Sequence, residues 1–207
     1  MLNQPEVTAQ ALANLRKLDN FNWIMVVCLA FVLYVYMTAI EHKKWNQIAA
    51  GLALYGVHWF VEIVNALIQH IWGHALWTAT GGTSFLILVG VGIEISFMFC
   101  VAGLILSKVL PEDKNMKILG INNRIVFAVA NAFLVALIEV PLAASPIFHW
   151  VYPWWGMITV WIFIYIPFFL AAFLCYDAKP KTNKIFLGSL YALNLIMMLI
   201  FVPLGWI

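Results

Sequence analysis

Residues 55–69 have the sequence YGVHWFVEIVNALIQ, in which a few polar side chains interrupt an otherwise apolar run. On a helix that turns about 100° per residue, these polar side chains fall within one arc of roughly 80°. They are Tyr55, His58, Glu62, Asn65 and Gln69. The apolar faces suit a lipid bilayer, whereas the polar arc requires a protein interior or a wet cavity. The sequence therefore predicts a membrane-spanning helix with one functional face.

The composition of the whole chain is typical of an integral membrane protein. Of its 207 residues, 65% are hydrophobic and 10% are charged, against roughly 45–50% and about 25% in soluble domains. The net charge is only +2, and the basic residues occupy short loops rather than a patch, so we predict no nucleic-acid partner. All three cysteines lie in apolar segments and are interpreted as small core residues.

Six segments are apolar over about 20 residues, the length that a helix needs to cross a bilayer. They are Phe21–Ile40, Asn46–Gln69, Ser84–Lys108, Arg124–Ala144, Trp154–Tyr176 and Lys184–Ile207. Residues 1–20 are more polar, with apolar residues at helical spacing, which predicts a short amphipathic surface helix. The predicted fold is thus an all-α integral membrane protein, with an N-terminal surface segment (1–20) and one six-helix transmembrane domain (21–207).

The distribution of basic residues predicts the orientation of the bundle. Nine of the 11 lysines and arginines fall in or beside the first, third and fifth loops, and the second and fourth loops have none. By the positive-inside rule, the odd-numbered loops are cytoplasmic and both termini lie on the outer side. The outer loops are rich in Trp, Tyr and His. We interpret them either as an aromatic belt at the lipid headgroups or as a lid folded over the bundle.

Four ionisable groups on three helices are predicted to share one layer of the membrane. They are His58, Glu62, Glu94 and Glu139, which a rise of about 1.5 Å per residue puts roughly 18–24 Å from the cytoplasmic helix ends. Three carboxyl groups in such a layer cannot all be ionised without a cation, so at least one is expected to be protonated or bound to metal. These four residues are the candidate catalytic groups. The candidate substrate-lining residues are Tyr55, Trp59, Asn65, Trp161 and Tyr165.

This layer is suited to acid–base catalysis on a lipophilic molecule without a cofactor. A protonated glutamate can donate to an alkene or epoxide, a histidine or second glutamate can accept a proton, and aromatic faces stabilise positive charge. Isomerases, hydratases and cyclases of isoprenoids use such chemistry. The expected partners are membrane lipid and a lipophilic small molecule.

Two known families resemble parts of this chain. His58-x-x-x-Glu62 followed by Glu94 resembles the acid–base arrangement of emopamil-binding-type sterol isomerases. The run from Tyr36-Met37 through Lys43-Lys44 to Trp59 and Glu62 is similar to the region of membrane terpene cyclases that carries their first catalytic acid. Both resemblances imply an enzyme of isoprenoid or sterol metabolism in which Glu62, with His58 and Glu94, acts on the substrate.

Three other interpretations stay open at this point, one of which is a transporter whose acids near the midplane relay protons. His70 and His74 have i, i+4 spacing and His149 is predicted on the same membrane side, so these three could bind copper or zinc. Alternatively, the chain is a non-catalytic subunit of a larger membrane complex, or a homo-oligomer. Motifs such as Gly90-x-Gly92 permit the close helix approach that such assembly needs.

Overall fold

The computed structural model describes residues 6–80 and 85–207 and is dominated by helices. Within these ranges, five helical stretches are long and apolar enough to cross a membrane. They are α2 (Trp23–Glu41), α3 (Trp45–Trp72), α5 (Asn123–Ala143), the continuous stretch Met157–Asp177 and α8 (Pro180–Phe201). The stretch Met157–Asp177 consists of α6 (Met157–Val160), a π-helical turn (Trp161–Tyr165) and α7 (Ile166–Asp177). The described residues also form two shorter α-helices, α1 (Glu6–Asn14) and α4 (Ile93–Leu106).

Short antiparallel strand pairs lie at both ends of the bundle. The strands are β1 (Trp77–Ala79), β2 (Leu86–Leu88), β3 (Val91–Gly92), β4 (Lys117–Ile118), β5 (Ile121–Asn122) and β6 (Phe148–Trp150). β1 pairs with β6, with Thr78 opposite His149, while β2–β3 and β4–β5 are local hairpins. The prediction of an all-α fold did not include these strand pairs. Each strand has only two or three residues, which is too short to show the alternating pattern that predicts a strand.

Helix α3 is the centre of the bundle. Half of its most apolar window is buried inside the protein, against 17% for α2 and 6% for α8. It packs against α4, α7 and α8. Glycines permit this close packing: a Cβ on Gly103 of α4 would lie 2.6 Å from the Ala50 carbonyl oxygen, and one on Gly56 would lie 2.7 Å from Leu190. The polar face of α3 is thus directed into protein, as the sequence predicts.

The predicted third span, Ser84–Lys108, is not one continuous helix. Its first part is the β2–β3 hairpin, and α4 has only 14 residues, or about 21 Å. Residue 84 lies outside the described ranges. The hairpin replaces helix because its carbonyls accept bonds from elsewhere: Leu86 O from Arg16 N and Val89 O from Ala79 N, each at 3.0 Å. These bonds satisfy backbone groups that a helix would have paired internally.

The N-terminal segment, the two predicted outer loops, the β2–β3 hairpin and the start of the predicted fifth span join into one layer, which we call the cap (residues 6–20, 74–80, 85–92 and 145–156). Asn14 Nδ2 donates to Thr80 O at 2.8 Å, and Thr80 Oγ1 donates to Pro146 O at 2.6 Å. Arg16 Nη2 donates to Ile207 O at 3.3 Å, which ties the C-terminal residue to the same layer. This arrangement favours the lid interpretation. The predicted surface helix corresponds in part to α1, which contacts β1; residues 1–5 of that segment lie outside the described ranges, and its position on the membrane stays a prediction.

A bidentate ion pair clamps the opposite end of the bundle. Arg124, in the first turn of α5, donates from Nε to Asp177 Oδ2 at 2.7 Å and from Nη2 to Oδ1 at 2.9 Å. Asp177 is the last residue of α7. The same guanidinium donates to the Pro111 carbonyl at 2.8 Å. Because it satisfies four acceptors at once, including Asn123 Oδ1 at 2.6 Å, this arginine fixes α5, α7 and the loop that precedes α5 against one another.

Replacing Arg124 by Gln is expected to destabilise the protein. The change removes the charge partner of a partly exposed Asp177, so we expect a loss of about 2 kcal/mol, below the cost of breaking a fully buried pair. Thermal unfolding in detergent measures it. Lys181→Ala, at an exposed lysine near the same end, is the control, and equal melting temperatures for the two variants would contradict the clamp.

Candidate functional site

A cavity of about 100 Å³ lies between α3, α4, α5 and the π-helical stretch, directly beneath the cap. The lining residues with polar atoms in their side chains are His58, Glu62, Trp77, Glu139 and Tyr165. Phe99, Phe148 and Phe168 add aromatic rings, and the rest of the lining consists of Met98, Gly90 and aliphatic side chains. Two carboxyl groups from two different helices therefore face one largely apolar space, as the predicted layer requires for Glu62 and Glu139.

Glu62 is held from the side of the cap. Its Oε1 accepts a hydrogen bond from Trp77 Nε1 at 3.2 Å and lies 4.0 Å from His58 Nδ1. The latter distance is too long for a hydrogen bond. Oε2 has no hydrogen-bond partner within the described residues. One oxygen of this carboxyl group is thus fixed by the fold, and the other remains unpaired at the cavity wall.

His58 lies one helical turn before Glu62 and is 1% exposed. Its imidazole stacks on the ring of Phe99, with 4.3 Å between the centroids and 18° between the planes. Phe168 lies against it edge-on at 6.1 Å. These rings fix the orientation of the imidazole, while Nε2 has no hydrogen-bond partner in the described part of the chain.

Glu139 and Tyr165 form the opposite wall. Tyr165 Oη donates to Glu139 Oε2 at 3.1 Å, and both side chains are buried. Tyr165 closes the π-helical turn Trp161–Tyr165, two residues before Pro167. A proline has no N–H for the carbonyl four residues earlier, which disrupts the α-helical ladder there. Single π-turns are frequent at functional sites, and this one ends at the tyrosine that reaches the carboxyl group.

Asn65 positions Trp77 rather than lining the cavity. Its Oδ1 accepts from Leu76 N at 2.8 Å and its Nδ2 donates to Trp77 O at 3.0 Å. Trp77 in turn stacks on Trp155, with 5.8 Å between centroids. Sequence reasoning missed Trp77, because in the sequence it is one of several tryptophans in an aromatic loop. The signal in the sequence was the amide of Asn65 on a helix in lipid. Because such an amide needs hydrogen-bond partners, a neighbouring segment had to return to α3 and supply them.

The turn of the β2–β3 hairpin is pressed against the same group of side chains. A Cβ on Gly90 would lie 2.5 Å from Trp77 Nε1 and 2.6 Å from both Asn65 Nδ2 and Glu62 Oε2. Only glycine leaves room for this approach without displacing a polar atom. The hairpin that replaces the outer part of the predicted third helix therefore forms part of the site.

Several predicted site residues lie elsewhere. Glu94 is half-buried in the first turn of α4 and does not line the cavity. Tyr55 shares a hydrogen bond with Ser96 Oγ at 3.0 Å. Trp59 packs on a second apolar cluster, and Trp161 Nε1 donates to Val129 O at 3.1 Å. The common layer was inferred from helix depth alone, and depth does not specify the direction in which a side chain points.

The three histidines of the alternative metal site are not brought together. Gly73, with φ of +79°, ends α3 before His74, so His70 and His74 do not share a helix. His70 stacks on Trp206 and His149 contacts Pro146 O. Across residues 6–80 and 85–207, no group of three or more His, Cys, Asp or Glu side chains has a geometry that could hold a metal ion.

The sequence of the whole chain matches a known group of proteins. The model of an uncharacterized membrane protein family matches residues 5–203. The chain belongs to this family. An uncharacterized protein of Archaeoglobus fulgidus is 38% identical over 205 residues, which cover 96% of this chain and 97% of that protein. No solved structure matches the chain. Together with the long apolar helices, this membership identifies a multi-pass membrane protein.

Gly90→Ala is expected to disturb the site and destabilise the protein by about 1–3 kcal/mol, the usual cost of overpacking. Gly188→Ala is a matched control, since a Cβ at Gly188 in α8 meets no atom within 4 Å and Ala favours helix by up to about 1 kcal/mol. Thermal unfolding of the two variants compares them. A Gly90 variant as stable as the Gly188 variant would contradict the close packing of the hairpin on Glu62, Asn65 and Trp77.

Proposed function

We propose that this protein is a membrane-embedded acid–base enzyme, of the isomerase type, that acts on a lipophilic substrate such as an isoprenoid. The observation that carries the proposal is the apolar cavity whose opposite walls hold Glu62 and Glu139. Each carboxyl group accepts a hydrogen bond from an aromatic side chain, Trp77 or Tyr165. Two carboxyl groups in one apolar space share protons rather than both ionising, which provides an acid and a base together.

The proposed reaction needs no other reactant. One carboxyl group adds its proton to an alkene carbon and leaves a positive charge on the neighbouring carbon. The other carboxylate, or His58, removes a proton from the next carbon, so the double bond shifts and no electrons are gained or lost. The faces of Phe99, Trp77 and Tyr165 would stabilise the positive charge. Glu94 of the sequence prediction has no part in this scheme, because it does not line the cavity.

An opening toward the bilayer supports a lipophilic substrate. The cavity is lined in part by side chains that are exposed on the lateral surface: Met98 of α4 is 60% exposed, and Ile138 and Leu142 of α5 are 51% and 36% exposed. Within the described residues, α4 and α5 make few contacts with each other, while α4 packs on α3 and α5 packs on α7. A gap between two transmembrane helices admits molecules already dissolved in the membrane.

We also infer that the chain crosses the membrane six times, with both termini on the outer side. The bond between Arg16 and Ile207 supports an even number of crossings, because Arg16 precedes α2 and Ile207 follows α8. In this topology α4 and the β2–β3 hairpin complete the third crossing together. The lysine-rich loops then face the cytoplasm.

Labelling of single cysteines tests this topology. Leu18→Cys and Trp154→Cys, at exposed positions of the cap, are expected to react with a membrane-impermeant maleimide in intact cells. Leu119→Cys and Lys181→Cys, exposed at the other end, are expected to react only after permeabilisation. The opposite labelling pattern would show that the orientation is the reverse of the one inferred. Labelling of all four cysteine variants in intact cells would exclude the six-crossing topology.

Deuterium transfer tests the reaction. Purified protein is incubated in D2O with a panel of isoprenoid alcohols and sterols, and mass spectrometry measures deuterium uptake into carbon and shifts of double bonds. Glu62→Gln and Glu139→Gln are each expected to lower the rate at least about 100-fold, since each removes an acid–base group. Glu94→Gln is the matched control and should retain the rate. Absence of uptake with every substrate, or retained uptake in both cavity variants, would refute the proposal.

A further inference from the structure

Two polar atoms on the wall of the cavity are buried without a hydrogen-bond partner in the described part of the chain. They are Nε2 of His58 and Oε2 of Glu62. Other lining side chains of the described ranges have no such atom. Buried polar groups are nearly always paired, and leaving one unpaired costs roughly 1–3 kcal/mol. Both atoms are therefore available to form hydrogen bonds with a polar group of a ligand in the cavity.

The charge of the cavity limits what that polar group can be. Among the described residues, the lining contains two carboxyl groups and no lysine or arginine. A phosphate, sulfate or carboxylate end group would face Glu62 and Glu139 with no compensating cation, which is strongly unfavourable in an apolar space. The ligand's end group is therefore not an anion.

The route into the cavity excludes a permanent cation as well. The lateral opening is bordered by Met98, Ile138 and Leu142, so a molecule that uses it passes through hydrocarbon. Moving an isolated charge from water into an apolar medium costs far more than moving a single hydroxyl. A hydroxyl also suits both unpaired atoms, because it can donate to a carboxyl oxygen and accept from an imidazole N–H.

The size of the cavity indicates how much of the ligand it holds. Its volume of about 100 Å³ is below the roughly 300–1,000 Å³ of pockets that enclose a whole drug-sized ligand. Only the end of a lipid fits inside, and the remaining chain must extend through the opening. The gap between α4 and α5 provides that path.

We propose that the cavity binds a single-chain amphiphile with one uncharged hydroxyl end, such as a polyprenyl alcohol. The hydroxyl lies between His58 Nε2 and Glu62 Oε2, and the apolar chain passes between α4 and α5 into the bilayer. This inference rests on the proposed function only in treating the bound amphiphile as a substrate. The identity of the ligand and its route are specified whether or not a reaction follows. In the enzyme, it would bring the carbons next to the hydroxyl alongside Glu139.

Equilibrium binding to the unmodified protein tests the end group. Tritiated farnesol is bound to purified protein in lipid nanodiscs, and unlabelled farnesol, farnesene, farnesyl phosphate and farnesylamine compete against it. Farnesol is expected to bind saturably, and the other three are expected to compete at least about tenfold less well, because each lacks the hydroxyl or adds a charge. Absence of saturable binding, or better competition by the hydrocarbon, phosphate or amine, would overturn the proposed end group.

Substitutions at the opening test the route. The double variant Met98→Trp with Ile138→Trp fills the gap and should slow farnesol association at least about tenfold. The double variant Met37→Trp with Leu199→Trp is the control, since both residues are exposed on α2 and α8 and do not line the cavity. Equal association rates in the two variants would exclude entry between α4 and α5. The same result is expected if a helix of a partner protein covers that gap, and it would overturn the proposed route in that case too.

A substitution inside the cavity tests the binding atoms. His58→Phe keeps an aromatic ring against Phe99 but removes Nε2, and it should weaken farnesol binding about tenfold while competition by farnesene is unchanged. Unaltered farnesol affinity would remove His58 from the site. Saturable farnesol binding without deuterium uptake would uphold this inference and refute the proposed function. Deuterium uptake at an unchanged rate in the Met98→Trp, Ile138→Trp variant would uphold the proposed function and refute the proposed route.

Discussion

The cost of placing polar side chains inside a membrane governs this structure. Helix α3 carries His58, Glu62 and Asn65 along one face, and all three are almost completely buried. In hydrocarbon such groups would each be unfavourable by several kcal/mol, so the fold must supply partners for them. It does so from outside the bundle: the segment after α3 returns, and Asn65 and Glu62 bind its backbone and the indole of Trp77.

The cap follows from that requirement. Once Trp77 is fixed on α3, β1 is in place to pair with β6, and the turn of the β2–β3 hairpin packs at Gly90. Arg16 and Ile207 then join the chain ends to the same layer. Several weak elements, each too short to be stable alone, are stabilised together because they share one polar anchor. The Arg124–Asp177 clamp at the opposite end holds α5 and α7 independently of the cap.

The site combines rigid support with incomplete hydrogen bonding. Asn65 orients Trp77, Phe99 orients His58, and the π-helical turn brings Tyr165 to Glu139. These contacts fix the side chains, while His58 Nε2 and Glu62 Oε2 have no hydrogen-bond partner among the described residues. The proposed binding of a membrane-soluble molecule rests on these unpaired buried atoms, since a fully paired network would leave no group free to bind a ligand.

The membrane class, the bounds of four of the long helices and the polar face of α3 could all be predicted from the sequence. These follow from local properties, namely hydropathy over 20 residues and helical periodicity, which neighbouring elements hardly alter. The sequence also pointed to His58, Glu62, Glu139 and Tyr165, which line the cavity, because ionisable or hydroxyl groups within apolar helices stand out. Tertiary structure alone decided the rest. The loss of the outer part of the third helix, the recruitment of Trp77 and Gly90, and the exclusion of Glu94, Tyr55, Trp59 and Trp161 from the cavity depend on contacts between segments far apart in the chain. Those contacts fix the direction of each side chain, and no local pattern in the sequence records that direction.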